Sequence, residues 1–322
     1  MGLKYFKILK KINKNFKITV VRSKGTKNKN IQNKADKVVY NINHAINNGI
    51  DCALIWTPSS EHTRQALILA KNKIPFFVEK PISNSLENLN KLVRLTKKNK
   101  IHAQVGYVLK ELKSYKVLKK KINLKNVLSV YCEALSYLPK WKNDSYINYP
   151  YSFKKLGGGA LLELSHEIDY IRNIFGEIEY VTANCIYSKN LKADVESGAN
   201  LIFNLKNKII VNLILNFDSK ILSRKCRINY SDKYLIWDIA RDAIHSKEKL
   251  FKKKNIDYIY KKQIYNFLKN IKKNKYKYTT LIDSIKTLRV IKYAIKSHKL
   301  NKRLKVIWKF MVSYLLELAQ KV

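Results

Sequence analysis

Two short segments of the 322-residue sequence carry residue types that suit proton and hydride chemistry. One is the run 78–81, Val-Glu-Lys-Pro, which places Lys80 directly after an apolar stretch; the other is a glycine run, 157–159, followed by Glu163 and His166. An imidazole with a pKa near ~6.5 exchanges protons with a hydroxyl at neutral pH. A lysine ammonium stabilises the negative charge that grows on the oxygen as hydride leaves. The two segments therefore predict redox chemistry on a hydroxylated substrate.

The elements that must position Lys80 follow from hydrophobic periodicity in the first third of the chain. Predicted strands and helices alternate there, with strands over 16–21, 52–56, 76–78 and 103–107 and helices over 4–14, 61–71 and 86–98. Alternation of this kind indicates βαβ units and a parallel sheet. We predict that residues 1–107 form a doubly wound nucleotide-binding domain of the α/β class.

The pattern changes after residue 107. A helix follows the glycines to Phe175 and ends at Gly176. Strands are predicted over 127–135, 180–187, 199–205, 208–216, 224–230 and 233–238, with closing helices over 264–272 and 280–299. We predict an α+β domain over 108–306, in which a mostly antiparallel sheet has one face covered by helix. Residues 307–322 form a predicted helical tail for packing or self-association.

Composition narrows the function classes. The hydrophobic fraction of 46% fits a globular chain, and no apolar run reaches the ~18 residues of a membrane span. Nothing at the start resembles a signal peptide, and the four cysteines form no CxxC pair, which argues against structural zinc or any other metal site. We expect a cytoplasmic protein without disulfides and without a membrane partner.

The net charge of +42 invites a nucleic-acid interpretation. The basic residues are almost all lysine, whereas base and phosphate recognition favours the arginine fork. The lysines are also spread along the whole chain. We therefore predict a solvated lysine surface that attracts anionic cofactors and substrates, and no nucleic-acid partner.

Three motifs in order resemble the glucose–fructose oxidoreductase and inositol dehydrogenase family (Gfo/Idh/MocA), over roughly residues 2–306. They are Glu-Lys-Pro at 79–81, Thr-Pro-Ser-Ser-Glu-His at 57–62 and GGGALLELSHEIDY at 157–170. The resemblance implies catalytic roles for Lys80, His166, Glu163 and Asp169. The family has aspartate four residues before the histidine, whereas here Leu162 holds that position and Glu163 sits three before, which puts the role of Glu163 in doubt. Asp169 either orients His166 or serves in capping or packing.

The family binds NAD or NADP on a Gly-x-Gly-x-x-Gly turn after its first strand. Only Gly2 matches that turn here, so the first strand is missing; we expect an upstream start or a frameshift, with a decayed or truncated copy as the alternative. Loss of a central strand would cost several kcal/mol, against a typical stability of ~5–15 kcal/mol. The residues expected to contact the cofactor are Gly2, Arg22, Thr57, Pro58, His62, Glu79 and Lys80. Arg22 mildly favours NADP, because an arginine can accept a 2′-phosphate, although it is equally well a solvated side chain.

The remaining expectations concern local structure and substrate. For His62 the residue pattern favours a structural role over a catalytic one, and for Glu79 it favours a structural hydrogen-bond acceptor. Tyr107, Trp141 and Tyr151 are expected to contact the substrate together with His166, although an aromatic loop over 136–155 also suits an interface or a core. The stretch 137–141 resembles the subgroup linked to surface-polysaccharide and sialic-acid-like sugar synthesis.

We expect an NAD(P)-dependent oxidoreductase that acts on a sugar hydroxyl carbon. Its resemblance to the family also implies a homo-oligomer. The alternative is a non-catalytic sugar- or cofactor-binding protein, or an inactive remnant, and cofactor binding separates the two.

Overall fold

The computed structural model describes residues 2–22, 34–142, 145–246, 249–251, 257–273 and 279–308. The first part contains α1 (Gly2–Ile12), β1 (Thr19–Val21), β2 (Lys37–Val39), α2 (Ile42–Asn47), β3 (Ala53–Ile55), α3 (Ser59–Lys71), β4 (Phe76–Val78), α4 (Leu89–Lys98) and β5 (Ala103–Val105). These elements confirm the predicted alternation of strands and helices. The sequence analysis missed β2 and α2, because a three-residue strand and a six-residue helix are too short to show a period.

The strands of this part pair in parallel, which confirms the α/β class. β1 pairs with β2, and β3, β4 and β5 form a separate three-stranded sheet in that order. Within the described residues no strand precedes α1, and no hydrogen-bonded ladder joins the two sheets. The apolar face of α1 packs beside the larger sheet, where Tyr5 is fully buried and stacks on Trp56 with ring centroids 4.7 Å apart.

The second part is built on one large sheet. Its elements are α5 (Lys113–Lys121), β6 (Ser129–Tyr137), α6 (Ala160–Glu163), α7 (Ser165–Phe175), β7 (Ile178–Ile186), β8 (Gly198–Leu205), β9 (Ile210–Asn216), β10 (Asp218–Asn229), β11 (Tyr234–Asp238), β12 (Ala243–His245), β13 (Lys249–Phe251), α8 (Tyr258–Lys272), α9 (Thr279–Leu300) and β14 (Leu304–Lys305). Single turns of 3₁₀ helix fill much of the aromatic loop. The strand order is β13-β12-β11-β10-β6-β9-β8-β7-β14.

All neighbouring pairs in this sheet are antiparallel except β6–β9, which is parallel. The prediction of a mostly antiparallel sheet is thus confirmed. α7 covers one face, and its Tyr170 packs edge-to-face on Trp237 of β11 at 5.0 Å. The predicted single helix after the glycines is wrong in one detail: Leu164 separates α6 from α7, and α7 ends at Phe175 as expected.

Three further predictions concerned membrane helices, disulfides and the C-terminal tail. Of the helices in the described ranges, none is both long and apolar enough to cross a membrane. All four cysteines are free, although Cys132 and Cys226 face each other across β6 and β10 with their Sγ atoms 3.3 Å apart. The predicted helical tail falls almost entirely on 309–322, outside the described residues.

Candidate active site

Lys80 reaches the second part of the molecule from the end of a buried strand. All three residues of β4 are fully buried, so the chain that leaves its carboxyl end starts from a fixed point. The Lys80 ammonium donates hydrogen bonds to the Glu163 carbonyl oxygen at 2.6 Å and to the Glu163 carboxylate at 3.0 Å. Its side chain is only 12% exposed. The ammonium is therefore held in one place beside the carboxyl end of α6.

The glycine run lets α6 begin against α3. Gly157 has a φ of +85°, and its carbonyl oxygen accepts a hydrogen bond from Ser59 Oγ at 3.2 Å; a Cβ on Gly157 would lie 1.9 Å from that oxygen. Gly159 has a φ of +110°, and a Cβ there would lie 2.4 Å from the Glu196 carboxylate, which accepts a bond from the Leu161 amide. Both positions combine positive φ with close approach, which only glycine satisfies.

His166 lies in the first turn of α7, 9% exposed, with Tyr107 edge-to-face against its ring at 5.5 Å. Within the described residues its buried Nδ1 has no hydrogen-bond partner. Burial lowers the pKa of His166 well below its ordinary value, and the charges of Arg224, Lys80 and Lys110 act in the same direction. The ring is thus neutral at neutral pH, the form that accepts a proton.

These groups meet at one cavity of about 260 Å³. Its polar lining comes from Lys80, Glu163, His166, Ser136, Ser223 and Arg224, and its largest apolar wall is Trp141. Residues from β4, α6, α7, β6 and β10 therefore converge, although they are up to 144 positions apart in the chain. A neutral imidazole can accept the proton of a hydroxyl, and a fixed ammonium in the same cavity can stabilise the resulting oxyanion.

The unusual spacing of Glu163 still brings it to the site. α6 ends at Glu163, and its carboxylate lies on the Lys80 ammonium, whereas Leu162 points into the core with 5% exposure. Asp169 behaves differently from the expectation that it orients His166. Its carboxylate pairs with Lys110 Nζ at 3.0 Å, so it makes no hydrogen bond to the imidazole.

Of the three aromatic residues expected at the substrate, one lines the cavity and the other two contact residues that line it. Trp141 lines the cavity. Tyr151 packs edge-to-face on Trp141 at 5.4 Å from behind, and burial raises the pKa of its hydroxyl to about 12. Tyr107 is 4% exposed and lies beneath His166, its hydroxyl 3.4 Å from Ser165 Oγ. Tyr107 and Tyr151 are not among the residues that line the cavity, and their contacts with substrate stay predictions.

Comparison with protein families shows which family the chain matches. Residues 1–107 match the profile of the oxidoreductase family with an NAD-binding Rossmann fold, and residues 126–235 match the C-terminal domain of the same family. The chain belongs to the Gfo/Idh/MocA family. The resemblance drawn from three motifs is therefore confirmed, together with the NAD-binding nature of the first part.

Two curated relatives are similar over part of the chain. The rhizopine catabolism protein MocA of Rhizobium meliloti is 27% identical over 156 residues, 46% of each protein. The 2,7-anhydro-N-acetylneuraminate hydratase of Escherichia coli is 26% identical over 129 residues, 40% of this chain and 34% of the hydratase. The chain thus matches less than half the length of these relatives.

Solved Gfo/Idh/MocA-like structures share the fold over nearly the whole chain. A probable dehydrogenase from Thermotoga maritima is 18% identical with a TM-score of 0.77, covering 95% of this chain and 97% of its own. Levoglucosan dehydrogenase, solved with NADH and levoglucosan, is 14% identical with a TM-score of 0.78 and 90% coverage of both chains. The WlbA dehydrogenase of Bordetella pertussis, solved with NADH and UDP-GlcNAcA, is 13% identical with a TM-score of 0.76, covering 95% and 94%.

The family's NAD site can be compared with the groups present at the carboxyl edge of the parallel strands. α1 begins at Gly2 with its amide groups directed outward from the helix end, Arg22 follows β1, and Thr57 and Pro58 follow β3. The Thr57 hydroxyl donates to Gln65 at 3.1 Å. A helix N-terminus, a hydroxyl and a guanidinium are the donors that phosphates and ribose require. In chemical type this set fits a dinucleotide.

His62 contacts two loops of this Gfo/Idh/MocA chain. Its ring is buried, with Nδ1 2.8 Å from the Pro81 carbonyl oxygen and Nε2 2.8 Å from the Thr57 carbonyl oxygen. The ring thereby joins the loops that follow β3 and β4, and the second of these carries Lys80 in a cis peptide with Pro81. Both nitrogens face protein carbonyls, which favours the structural alternative for His62, and its cofactor contact stays a prediction.

Glu79 is also buried rather than facing a ligand. The Lys80 amide donates to its carboxylate at 3.3 Å, and Gly106 lies so close that a Cβ there would be 2.2 Å from the Glu79 oxygen. Burial raises the pKa of Glu79 from 4.5 to about 7. Burial favours the structural alternative for Glu79, and its cofactor contact stays a prediction.

The raised pKa of Glu79 predicts a pH-dependent gain of stability on its replacement. The unfolded chain loses the Glu79 proton near pH 4.5 and the folded chain near pH 7, so stability falls as pH rises through this window. We expect Glu79→Gln to unfold with a higher free energy than the wild type at pH 8, by up to about 3 kcal/mol, and with little difference at pH 4.5. Urea unfolding at both pH values measures this. The exposed Glu87→Gln is the control, and an equal effect at both pH values contradicts the prediction.

Sequence reasoning missed Arg224, Ser136 and Glu167 as neighbours of the site. No local motif surrounds them, and Arg224 meets Glu167 only because β10 passes beneath α7. The one available indication was the arginine itself, since cations in this chain are mostly lysine. Within the described residues no three histidine, cysteine or acidic side chains are grouped to hold a metal ion.

Proposed function

We propose that this protein is an NAD(P)-dependent oxidoreductase that moves hydride between the nicotinamide and a hydroxyl-bearing carbon of a sugar. The observation that carries the proposal is the meeting of Lys80, Glu163 and His166 in one cavity with Trp141 as its wall. That cavity lies at the carboxyl end of β4, and open α/β sheets bind their ligands at this edge.

Each residue has a role that follows from its contacts. His166, neutral and with 9% exposure, takes the proton of the sugar hydroxyl. The Lys80 ammonium stabilises the oxygen that loses this proton, and Glu163 holds the ammonium in position. Trp141 offers an aromatic face to the sugar ring. The dinucleotide, when bound, supplies the hydride acceptor or donor.

Binding of the cofactor is the first test. We expect a fluorescence titration of the 322-residue chain to saturate with NADH and NADPH, with NADPH bound more tightly because Arg22 follows β1. Arg22→Ala should lower NADPH affinity about tenfold, the scale of one charge-assisted contact, and leave NADH affinity unchanged. Lys14→Ala, which also removes one exposed cation, is the matched control. Absence of saturable binding of either nucleotide contradicts the proposal.

A narrower substrate class is also part of the proposal. The stretch 137–141 contains Trp141 at the cavity, and the relatives include a hydratase of an anhydro-neuraminate and a dehydrogenase fold solved with UDP-GlcNAcA. These similarities support a sugar from surface-polysaccharide or sialic-acid-like synthesis. A panel of such sugars, scored by NADH absorbance, tests it against inositols and simple hexoses as controls. Equal turnover of the control polyols contradicts this narrower class.

A cytoplasmic location is proposed on the free thiols. Cys132 and Cys226 are buried with sulfurs 3.3 Å apart and unbonded, a pair that an oxidising compartment would tend to close. Thiol counting on protein purified with an alkylating agent tests this; a disulfide at these residues contradicts it.

We also propose a homo-oligomer formed through the open face of the large sheet. The alternation of β6, β8 and β9 leaves Tyr131, Ile202, Ile210 and Ile214 between 44% and 51% exposed on that face. Exposed apolar patches of this kind mark association surfaces. Light scattering should give a multiple of 37.8 kDa, and a monomeric mass at micromolar concentration contradicts this assembly.

One observation favours a second candidate, a non-catalytic binding protein or an inactive remnant. Within the described residues the parallel strands form two sheets without a shared ladder, so no strand pairing fixes the β1–β2 edge against the β3–β5 edge that precedes Lys80. This candidate predicts sugar binding without saturable nucleotide binding. The titration therefore separates it from the oxidoreductase. We propose no nucleic-acid partner, because the basic residues are mostly lysines spread along the whole chain.

A further inference from the structure

Arg224 brings a second fixed cation to the cavity. Its Nε and Nη2 donate to the two carboxylate oxygens of Glu167, at 2.6 and 3.1 Å. Glu167 is fully buried, whereas the Arg224 side chain is 26% exposed and lines the cavity. A guanidinium held at one edge by a buried carboxylate has a fixed plane and a fixed direction for its remaining donors.

The N–H groups on Nη1 of Arg224 have no acceptor among the described residues. Across the part of the chain that the structure describes, Nη1 makes no hydrogen bond. Ser136 also lines the cavity, and its Oγ is buried without a hydrogen-bond partner among the described residues. Ser223, by contrast, already donates its hydroxyl to Glu133. The cavity thus has two groups with unused donors on its sheet side, the Arg224 guanidinium and the Ser136 hydroxyl.

Strand register explains why these two donors are neighbours. Arg224 of β10 lies directly opposite Ala134 of β6, and Ser136 is two residues further on, on the same face. The pairing of β10 with β6 is irregular between Asp218 and Ser223, so Ser136 has no partner residue opposite it. The irregularity opens the sheet beside Arg224, and bulges commonly redirect side chains toward sites in this way.

The electrostatics of the cavity favour an anion at this position. Arg224, Lys80 and Lys110 all act against protonation of His166, so the potential at the imidazole is positive. Lys80 donates two of its three N–H groups to Glu163 and keeps the third for the reacting oxygen, so Arg224 is the second lining cation with unused N–H groups among the described residues. A volume of about 260 Å³ is below the ~300–1,000 Å³ of drug-sized pockets, which suits a single sugar ring.

We propose that Arg224 and Ser136 form a subsite for the carboxylate of an acidic sugar, so that the substrate is a uronate-type sugar. This inference rests on the proposed sugar oxidoreductase function and narrows its substrate class. The carboxylate lies across the cavity from Lys80, which faces the hydroxyl that reacts. A neutral sugar lacks the charge that makes these hydrogen bonds strong.

The test is binding of paired probes to the chain, with and without saturating NADH, in 0.15 M salt to screen the net charge of +42. The pairs are D-glucuronate with D-glucose, and N-acetyl-D-glucosaminuronate with N-acetyl-D-glucosamine, measured by calorimetry. We expect at least one acid to bind roughly 10- to 100-fold more tightly than its neutral partner, the range of a charge-assisted hydrogen bond.

Variants separate the subsite from a purely structural ion pair. Arg224→Gln combined with Glu167→Gln avoids a buried unpaired carboxylate and should abolish the preference for the acid. Ser136→Ala removes a hydroxyl that has no protein partner, so the fold is retained and the preference should fall severalfold. Ser219→Ala makes the same change on β10 outside the cavity lining and is the matched control, because its hydroxyl donates to the Ile221 carbonyl oxygen, and it should leave the preference unchanged.

The outcomes are distinct. Acids that bind no better than neutral sugars, or a preference that survives the Arg224/Glu167 double variant, overturn the subsite. Tighter binding of D-glucose 6-phosphate than of glucuronate replaces the carboxylate by a phosphate and overturns the uronate class. Failure of NADH to bind while the acid preference remains contradicts the oxidoreductase function and not the subsite.

Discussion

Replacing His166 with asparagine is expected to lower kcat by roughly 10²- to 10⁴-fold, the range of general acid–base catalysis. Asparagine keeps a polar group of similar size near the cavity but cannot exchange a proton at neutral pH. The nicotinamide nucleotide should bind as in the wild type, because His166 lies on α7 and the proposed nucleotide groups follow β1, β3 and β4. Turnover of the best acidic sugar, followed by NADH absorbance, together with nucleotide titration, measures both effects.

The matched control is His44→Asn, which makes the same change on the exposed surface of α2. Near-wild-type turnover in the His166 variant contradicts the role of this residue. The pH profile adds a second criterion. Burial and nearby cations lower the pKa of His166, so the acidic limb of kcat/KM for sugar oxidation should lie well below pH 6.5. A limb at or above pH 6.5 contradicts the neutral imidazole.

The same lowered pKa has a consequence for stability. The unfolded chain binds a proton at His166 near pH 6.5, whereas the folded chain resists it. Folding stability is therefore lost as pH falls below this value, opposite in direction to the effect of Glu79, whose proton is retained in the fold. Glu79 therefore lowers the folding stability at high pH, and His166 lowers it at low pH.

Motif order was enough to predict that Lys80 and His166 would meet. The edge rule for parallel sheets places Lys80 at the end of β4, and the glycine run places His166 at the start of a helix. The contact of Asp169 with Lys110 was not predictable. Helical spacing indicates which face of the helix a side chain occupies, but not which residue from another part of the chain contacts it. The unused donor of Arg224 depended likewise on register.

The fold shows the same division between local and distant information. Period-two and 3.6-residue patterns predicted most strands and helices near their observed bounds. The parallel pairing of β6 with β9 was not predicted, because strands of one large sheet can be ordered in many ways with the same local pattern. The short strands β12, β13 and β14 were missed for lack of a measurable period. Pairing partners, rather than element types, limited the prediction.

Replacing Lys80 with methionine is the second change with a large expected effect. Methionine preserves much of the length of the side chain but removes the charge that faces the reacting oxygen. Removal of one preorganised donor at a developing oxyanion costs about 10²- to 10³-fold in kcat, and we expect a loss of this size. Part of the effect should come through Glu163, whose carboxylate loses its partner at 3.0 Å and becomes an unpaired negative charge at the cavity.

The contribution of Glu163 can be separated with a double variant. Lys80→Met with Glu163→Gln removes both charges. It should bind the acidic sugar more tightly than Lys80→Met alone, because in the single variant the unpaired Glu163 carboxylate repels the substrate. It should remain as slow as the single variant in kcat, because the missing ammonium is what stabilised the oxyanion. The exposed Lys98→Ala controls for loss of one positive charge from the chain. Full recovery of kcat in the double variant would assign Lys80 to charge balance with Glu163 and contradict its place at the reacting oxygen.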